Sequence, residues 1–204
     1  GAAKYLGQNI DDVTLSSGAT SPNGHVAGSI FVVNGTINSK YNEITTASVY
    51  VHDGFGTSGT KVTGDSASVS GTSYTLDNST IDYNTAFDTL TAGKYTYAVS
   101  AEYINYYATS ATTIEPNTGT VSLMEDYFMV INSSVSQSSC AHSYSTTTLK
   151  AATCTEAGLA VKSCATCGKV VENVVGALGH SYPAWTVKNA TCTADGSKTR
   201  SCSR

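Results

Sequence analysis

The chain has 204 residues, a net charge of −4 and only 13% charged residues. This length suits one large domain or two small ones. Binding to nucleic-acid phosphates needs a dense basic surface, which so few Lys and Arg residues do not supply, so we expect no nucleic-acid partner. No apolar run approaches the roughly 18–20 residues of a membrane-spanning helix, so we expect no membrane span in this region.

Charge and cysteine content divide the chain into two parts. Residues 1–139 carry four Lys against twelve acids, giving −8, whereas residues 140–204 carry seven bases against three acids, giving +4. All six cysteines lie in the second part. A polar stretch precedes the boundary and is typical of a linker. We therefore predict a β-sandwich at 1–132, a linker at 133–139 and a Cys-rich repeat region at 140–204.

The first part is rich in β-branched and aromatic residues, which favour strands over helices. The alternating run at 47–52 ends at the turn dipeptide Asp53-Gly54 and is typical of a strand. Further runs at 73–76, 94–107 and 120–131 have the same character. Their spacing predicts a mainly β fold of the sandwich type.

A turn followed by a strand at residues 90–101 is the most specific motif of this part. Gly93 permits the turn, and Tyr95, Tyr97, Val99 and Ala101 then share one face of the strand. The segment resembles the corner of immunoglobulin-like and fibronectin-like modules, and this resemblance implies that the Tyr95 hydroxyl bonds back to the corner. Residues 82–101 together resemble an accessory β-sandwich of secreted wall and surface proteins of Gram-positive gut anaerobes.

Two sets of aromatic residues are candidates for ligand binding. Tyr103, Tyr106 and Tyr107 cluster at the end of the strand that follows Gly93. Exposed tyrosine rings stack on sugars, but the same rings also fill a core or cover a sheet edge. Trp185, in the repeat region, has the same two interpretations, ligand stacking or packing.

The sequence contains no recognisable catalytic motif, so we expect a protein that is not an enzyme. An active site assembled only in the folded chain remains an alternative. Such a site would bring together two carboxylates in a cleft. The acids available for it are Asp65, Asp77, Asp82, Asp88 and Glu102.

Residues 140–204 contain a repeat with an offset of 38 residues. Residues 142–166 and 180–204 are identical at 12 of 25 positions, and both copies have the spacing His-x11-Cys-x9-Cys. Self-similarity at a fixed period indicates stacked small units. The first copy, 142–179, continues to Cys167-Gly168, whereas the second, 180–204, stops one residue before the position of the next cysteine, so we expect a truncated second copy.

The repeat resembles a "GHsY…aTCTxxG…C" motif found near the C-termini of large secreted proteins of gut Firmicutes. This resemblance covers about 65 residues. It implies an extracellular or cell-surface location more than an activity.

The cysteines have two interpretations that the sequence leaves open. One complete copy has one His and three Cys, which form a full tetrahedral ligand set for structural zinc: His142, Cys154, Cys164 and Cys167. Secreted cysteines usually pair instead, and Cys140 makes the total even. The spacing then allows the disulfides Cys154–Cys164, Cys192–Cys202 and Cys140–Cys167. Leu178 replaces Cys140 in the second copy, which favours zinc for the repeating unit.

We expect a non-catalytic extracellular module, associated with a cell surface or wall, that acts in spacing, anchoring or adhesion. Its partner would be a glycan or another surface protein. The alternative is a carbohydrate-binding module attached to a glycan-active enzyme. Either cross-link has a structural reason, because a unit of 38 residues buries too little apolar surface to fold unaided.

Overall fold

The computed structural model of the chain describes residues 4–5, 12–17, 24–26, 33–76, 87, 89–110, 112–132 and 135–204. These residues form two compact units. The first unit comprises Gly1–Ser145 with Ser163–Val170, and the second comprises Thr146–Lys162 with Val171–Arg204. Among the residues described, no helix has the length and apolar character needed to cross a membrane.

The first unit contains two sheets. The larger has the order β3 (Gly24–Val26), β9 (Ile114–Ile131), β8 (Gly93–Ala108), β5 (Glu43–Asp53) and β6 (Lys61–Gly71), and β1 (Lys4–Tyr5) pairs with the far end of β8. The smaller has the order β2 (Thr14–Ser17), β4 (Gly35–Asn38) and β7 (Ser73–Leu76). Pairing is antiparallel except at β1–β8 and β3–β9. The prediction of a mainly β fold is confirmed.

Side chains from both sheets fill one hydrophobic core. Ile37 and Leu76 of the smaller sheet belong to the same buried cluster as Val49 and Phe128 of the larger sheet. Tyr95, Tyr97, Val99 and Ala101 share one face of β8, as the sequence predicted, and the structure places this face in the core. The predicted strand at 47–52 is also confirmed, since it lies within β5 and Gly54 follows with φ of 81°.

Tyr95 ties the start of β8 to the turn before it. Its hydroxyl donates a hydrogen bond of 2.9 Å to the Thr91 carbonyl, which is the contact expected of the corner residue. Its ring stacks on Phe128 with the ring centres 5.7 Å apart. The tyrosine therefore has a buried body and a satisfied polar end, which holds the turn against the core.

A carboxylate organises the entry to β5. Asp12 accepts hydrogen bonds from the backbone N–H groups of Lys40 and Tyr41, at 2.8 and 3.1 Å, and from the side chains of Ser39 and Asn42. Buried Asn42 in turn accepts a bond of 2.7 Å from the side chain of Asn105 on β8. This polar network stays satisfied although it extends into the interior.

The repeat region forms two small sheets. One has three strands, β10 (Tyr144–Lys150), β11 (Gly158–Cys164) and β12 (Val170–Val175), and the other pairs β13 (Thr186–Lys188) with β14 (Ser197–Thr199). Of the predicted linker, Ser133 and Ser134 lie outside the described residues, and Ser139 N–H donates to the Ser136 carbonyl at 3.2 Å. The predicted domain limits stay a prediction.

The sequence repeat is also a structural repeat. After the offset of 38, β13 corresponds to the end of β10, and β14 corresponds to the middle of β11. The turns between these strands contain equivalent hydrogen bonds. Thr153 N–H donates to the Glu156 carbonyl at 3.0 Å, and Thr191 N–H donates to the Ala194 carbonyl at 2.8 Å. Both copies therefore build the same hairpin.

Candidate metal centre

A tight turn after β11 presents two thiols. Gly168 N–H donates to the Cys164 carbonyl at 2.8 Å, and Cys164 N–H donates to the Lys169 carbonyl at 2.9 Å. Gly168 has φ of 69°, a left-handed conformation that glycine adopts without steric cost. The Cys-x2-Cys-Gly segment therefore forms a tight turn, and Cys164 and Cys167 are buried at 0% and 2% exposure.

The segment before β10 brings two further donors to this turn. Cys140 Sγ lies 3.8 Å from Cys164 Sγ, and His142 Nδ1 lies 3.3 Å from Cys167 Sγ. His142 has φ of 39°, an uncommon conformation for a residue with a side chain. The donor atoms of Cys140, His142, Cys164 and Cys167 all lie within 4.8 Å of one another. We call these four residues the first cluster.

The spacing of the first cluster fits a tetrahedral zinc ion. Sulfur at about 2.3 Å and nitrogen at about 2.0 Å from such an ion lie about 3.8 Å apart for a sulfur pair and about 3.6 Å apart for a sulfur–nitrogen pair. The distances of 3.8 and 3.3 Å are close to these values. A disulfide needs sulfurs about 2.05 Å apart. The donor set, three thiols and one imidazole, is one that zinc prefers.

Backbone amides prepare one of these thiols for a cation. The N–H groups of Cys167 and Thr166, the His142 ring and the N–H of Ser143 act on the Cys164 sulfur. Together they outweigh the effect of burial and lower the pKa of Cys164 to about 5. Burial raises the pKa of Cys167 instead. The thiolate is the form that binds metal, so the turn favours the binding form at Cys164.

A second group of donors lies in the second unit. The donor atoms of Cys154, His180 and Cys202 all lie within 4.8 Å of one another, and Cys154 Sγ is 3.6 Å from Cys202 Sγ. The N–H of Arg204, the His180 ring and the N–H of Ser181 lower the pKa of Cys202 to about 6. The hydrogen bond shared with Cys202 raises the pKa of Cys154. We call these three residues the second cluster.

The structure differs from the predicted zinc set at one residue. It brings together His142, Cys164 and Cys167 as predicted, but the fourth member is Cys140, and Cys154 lies in the second cluster. The sequence alignment treated each copy as a closed unit, so it assigned Cys154 to its own copy. The isolated position of Cys140, two residues before His142, was the available signal for its role.

Of the three predicted disulfides, one has both of its cysteines in the same cluster. Cys140 and Cys167 both belong to the first cluster, whereas Cys154 and Cys164 belong to different clusters. Cys192 is exposed and belongs to neither cluster, while its predicted partner Cys202 lies in the second. All six cysteines carry free thiols in the structure.

The three predicted tyrosines do not form one exposed platform. Tyr103 is 3% exposed and belongs to the core, whereas Tyr106, on the opposite face of β8, is 37% exposed. The side chain of Tyr107 lies outside the described part of the chain. Tyr106 instead lines a cavity of about 210 Å³ together with Tyr41, Glu43 and Asn105.

Trp185 is half exposed and stacks against a cation. The Arg200 guanidinium lies 4.4 Å from the Trp185 ring and 4.3 Å from the Tyr182 ring. Tyr182 in turn stacks on His180 with ring centres 5.4 Å apart. Trp185 is therefore linked to the second cluster through Arg200, Tyr182 and His180.

The acids proposed for an active site assembled in the fold are only partly described. Asp77, Asp82 and Asp88 lie outside the described residues. Glu102 lines an open cavity with Tyr103 and Thr118, and no other carboxylate is among the described residues that line it. Asp65 lies on β6 and accepts a hydrogen bond from Ser66 N–H.

Comparisons with known proteins find no match: no family model, curated protein or solved structure matches the chain. Any account of its function therefore depends on the residues and their geometry.

Proposed function

We propose that the chain is a non-catalytic extracellular module in which structural zinc closes the first Cys/His repeat next to a β-sandwich. The observation that carries this proposal is the first cluster, Cys140, His142, Cys164 and Cys167, whose donor atoms lie within 4.8 Å of one another, with two distances of 3.8 and 3.3 Å close to tetrahedral values. Three thiolates and one imidazole fill the coordination of zinc, so no position is left for a substrate. The ion acts as a cross-link.

The burial pattern gives the cross-link its purpose. The repeat strands bury few side chains besides Ala160, Val161 and Val170, while Val171 and Val174 are exposed. So small a core does not offset the loss of chain entropy on folding. Metal binding supplies that free energy, because the assembled ligand set exists only in the folded chain.

We further propose that this pair of modules acts as a surface spacer or anchor of a wall-associated protein. The low charge, the Ser/Thr-rich composition and the resemblance of the repeat to those of secreted Firmicutes proteins support this role. The natural partner would be a glycan or another surface protein. Protease treatment of intact source cells tests the location, since release of peptides from this chain is expected only if it is exposed outside the cell.

The zinc site is tested by metal analysis combined with mass spectrometry of the unreduced protein. We expect zinc in the first cluster, reactive thiols after chelation, and protease cleavage within 140–170 only after chelation. Cys164→Ser should lose this zinc, whereas Cys192→Ser, which changes an exposed cysteine outside both clusters, should keep it. Three intact disulfides, with a mass lower by about six hydrogens and no thiol, would refute the zinc proposal.

One observation favours carbohydrate binding as a second candidate function. The cavity of about 210 Å³ combines the Tyr41 and Tyr106 rings with the polar side chains of Glu43 and Asn105. Aromatic rings beside hydrogen-bonding groups suit a sugar. A glycan array with the chain and its Tyr106→Ala variant tests this, with Ile114→Ala as an exposed control. Equal binding by all three, or none at all, would remove this candidate.

A further inference from the structure

We infer that the chain has a second zinc site at the junction of its two repeat copies, formed by Cys154 of the first copy with His180 and Cys202 of the second. This inference rests on the zinc chemistry proposed for the first cluster, but it concerns a different set of residues. In this arrangement each ion joins one copy to a cysteine that precedes that copy in the chain. The metal ions therefore link the repeats in series.

The backbone holds Cys154 beside the second copy. Leu178 N–H donates to the Thr153 carbonyl at 2.8 Å, and Gly179 N–H donates to the Cys154 carbonyl at 3.1 Å. Gly179 has φ of 67° and immediately precedes His180. These bonds place the segment that leads into the second copy alongside Cys154. The Sγ–Sγ distance of 3.6 Å between Cys154 and Cys202 is close to the tetrahedral value of about 3.8 Å.

The second cluster reproduces the first after the offset of 38 residues. His180 and Cys202 are equivalent to His142 and Cys164, and Cys154 lies against Cys202 as Cys140 lies against Cys164. The two histidines also lie against equivalent tyrosines, with the same ring-centre distance of 5.4 Å.

The surroundings of the equivalent sulfurs match as well. Backbone N–H groups of Ser143 and Thr166 act on Cys164, and those of the equivalent residues Ser181 and Arg204 act on Cys202. Cys167 N–H also acts on Cys164. Two clusters that share two of these amides are expected to bind the same kind of ion.

Leu178 explains why the donor comes from the earlier copy. It occupies the position of Cys140 in the alignment and offers no ligand atom. Cys154 supplies the missing thiol from the preceding copy. The first copy has no preceding copy in the sequence, and Cys140 takes that place. Cys140 is therefore a capping ligand for the first site of the series.

The second copy needs this cross-link more than the first. All residues of β13 and β14 are exposed, so this hairpin has no buried side chains of its own. A hairpin without a core is marginal in water. A metal bridge from His180 and Cys202 to Cys154 would hold its two ends to the first copy.

Three protein donors leave one ligand of a tetrahedral ion to solvent. The first cluster receives its fourth donor from Cys167, and the equivalent position, 205, follows Arg204. A protein of residues 1–204 alone is therefore expected to bind the second ion more weakly than the first and to exchange it more readily.

The experiment counts zinc ions per chain by native mass spectrometry under reducing conditions in a zinc buffer. The chain should bind two ions. Cys140→Ser should lose the first and keep the second, and Cys154→Ser should lose the second and keep the first. Cys192→Ser is the matched control, because Cys192 is the equivalent of Cys154 in the second copy. This variant should retain both ions.

Fluorescence identifies which ion is lost. Trp185 is the single tryptophan and is linked to His180 through Arg200 and Tyr182. Zinc should change its emission in the chain and in Cys140→Ser, but not in Cys154→Ser. His180→Ala should lose the same single ion, and the double variant with Cys154→Ser should lose no more. The same loss of one ion in both single variants and in the double variant would separate loss of a shared site from general misfolding.

The outcomes distinguish this inference from the proposed function. If Cys154→Ser loses an ion that Cys140→Ser keeps while His180→Ala loses none, the first copy closes its own site with Cys154 and the inference fails. If one ion binds and only Cys140→Ser removes it, the inference fails but the proposed function stands. If no ion binds, both fail.

Discussion

The Cys154 thiol lies 3.6 Å from the Cys202 thiol, although 48 residues separate them in the chain. Cys202 is equivalent to Cys164, whose neighbour at 3.8 Å is Cys140. Cys154 and Cys140 therefore occupy the same place in two clusters, although the repeat alignment does not equate them. A complete copy contains three cysteines and one histidine, yet these four residues do not meet at one site. A ligand shared between neighbouring copies explains this, because each copy then supplies a cysteine to the site of the next copy.

The glycine at the hairpin of each copy is required by close backbone approach. A Cβ atom at Gly158 would lie 2.6 Å from the Lys150 carbonyl oxygen and 2.6 Å from the Ala152 nitrogen. We therefore expect Gly158→Ala to destabilise the first copy by about 1–3 kcal/mol, since backbone must move to accept the methyl group. Hydrogen exchange of amides in β10 and β11 measures this effect.

Gly176→Ala is the matched control for this substitution. A Cβ atom at Gly176 meets nothing within 4 Å. This variant should leave the exchange of β10 and β11 unchanged. Equal protection in the two variants would mean that the close approach at Gly158 does not exist in solution.

The Tyr95 hydroxyl offers a test of the contact between the start of β8 and the turn before it. Tyr95→Phe keeps the ring on Phe128 but removes the 2.9 Å hydrogen bond to the Thr91 carbonyl. Because that bond is partly buried, we expect a loss of about 1–2 kcal/mol in the free energy of unfolding. Urea denaturation measures it, with Tyr106→Phe on the exposed face of β8 as the control. A loss no larger than that of the control would show that the bond does not stabilise the corner.

The sequence predicted those parts of the fold that depend on local pattern. Strand alternation put Tyr95 and Tyr97 on one face of a strand, and the structure buries that face. The metal ligands depend instead on which segments meet. The pairing of Leu178 with Thr153 decides that Cys154 joins His180, and such a backbone contact leaves no periodic signal in the sequence.

Aromatic residues show the same limit. Tyr103 and Tyr106 are three residues apart, so strand alternation alone sends them to opposite faces. Grouping them by sequence proximity suggested a platform that the strand geometry does not build. The stack of Arg200 between Tyr182 and Trp185 depends on the pairing of β13 with β14, and no pattern in the sequence indicates it.

Asp12 makes the stability of the first unit depend on pH. Burial acts to raise its pKa, but hydrogen bonds from Ser39, Lys40, Asn42 and Tyr41 outweigh this and hold the pKa below its ordinary value of 3.8. Because the folded pKa is lowered, its contribution to stability is complete above the unfolded pKa and is lost as pH falls through the folded pKa.

We therefore expect Asp12→Asn to lower the free energy of unfolding at pH 7 by about 1–3 kcal/mol, since an amide accepts fewer of these bonds. The difference between the chain and the variant should shrink as pH falls below about 4. Urea denaturation at pH 7, 5, 4 and 3 measures it. Glu115→Gln, on the exposed start of β9, is the control. A difference that stays constant across this range would contradict the role of the carboxylate.

The second cluster should gain a fourth donor if one cysteine is appended after Arg204. The appended residue takes the position equivalent to Cys167, three residues after Cys202, and the backbone N–H groups around Cys202 already resemble those around Cys164. Structural zinc sites of four ligands bind with roughly 10–16 kcal/mol, or roughly 3 kcal/mol per ligand, so a tightening on the order of 100-fold is expected. Competition with a zinc chelator, followed by Trp185 fluorescence, measures the affinity. An appended serine is the control, because it adds the same length without a thiolate. Equal affinities for the two extended chains would show that the second copy does not assemble the ligand geometry of the first.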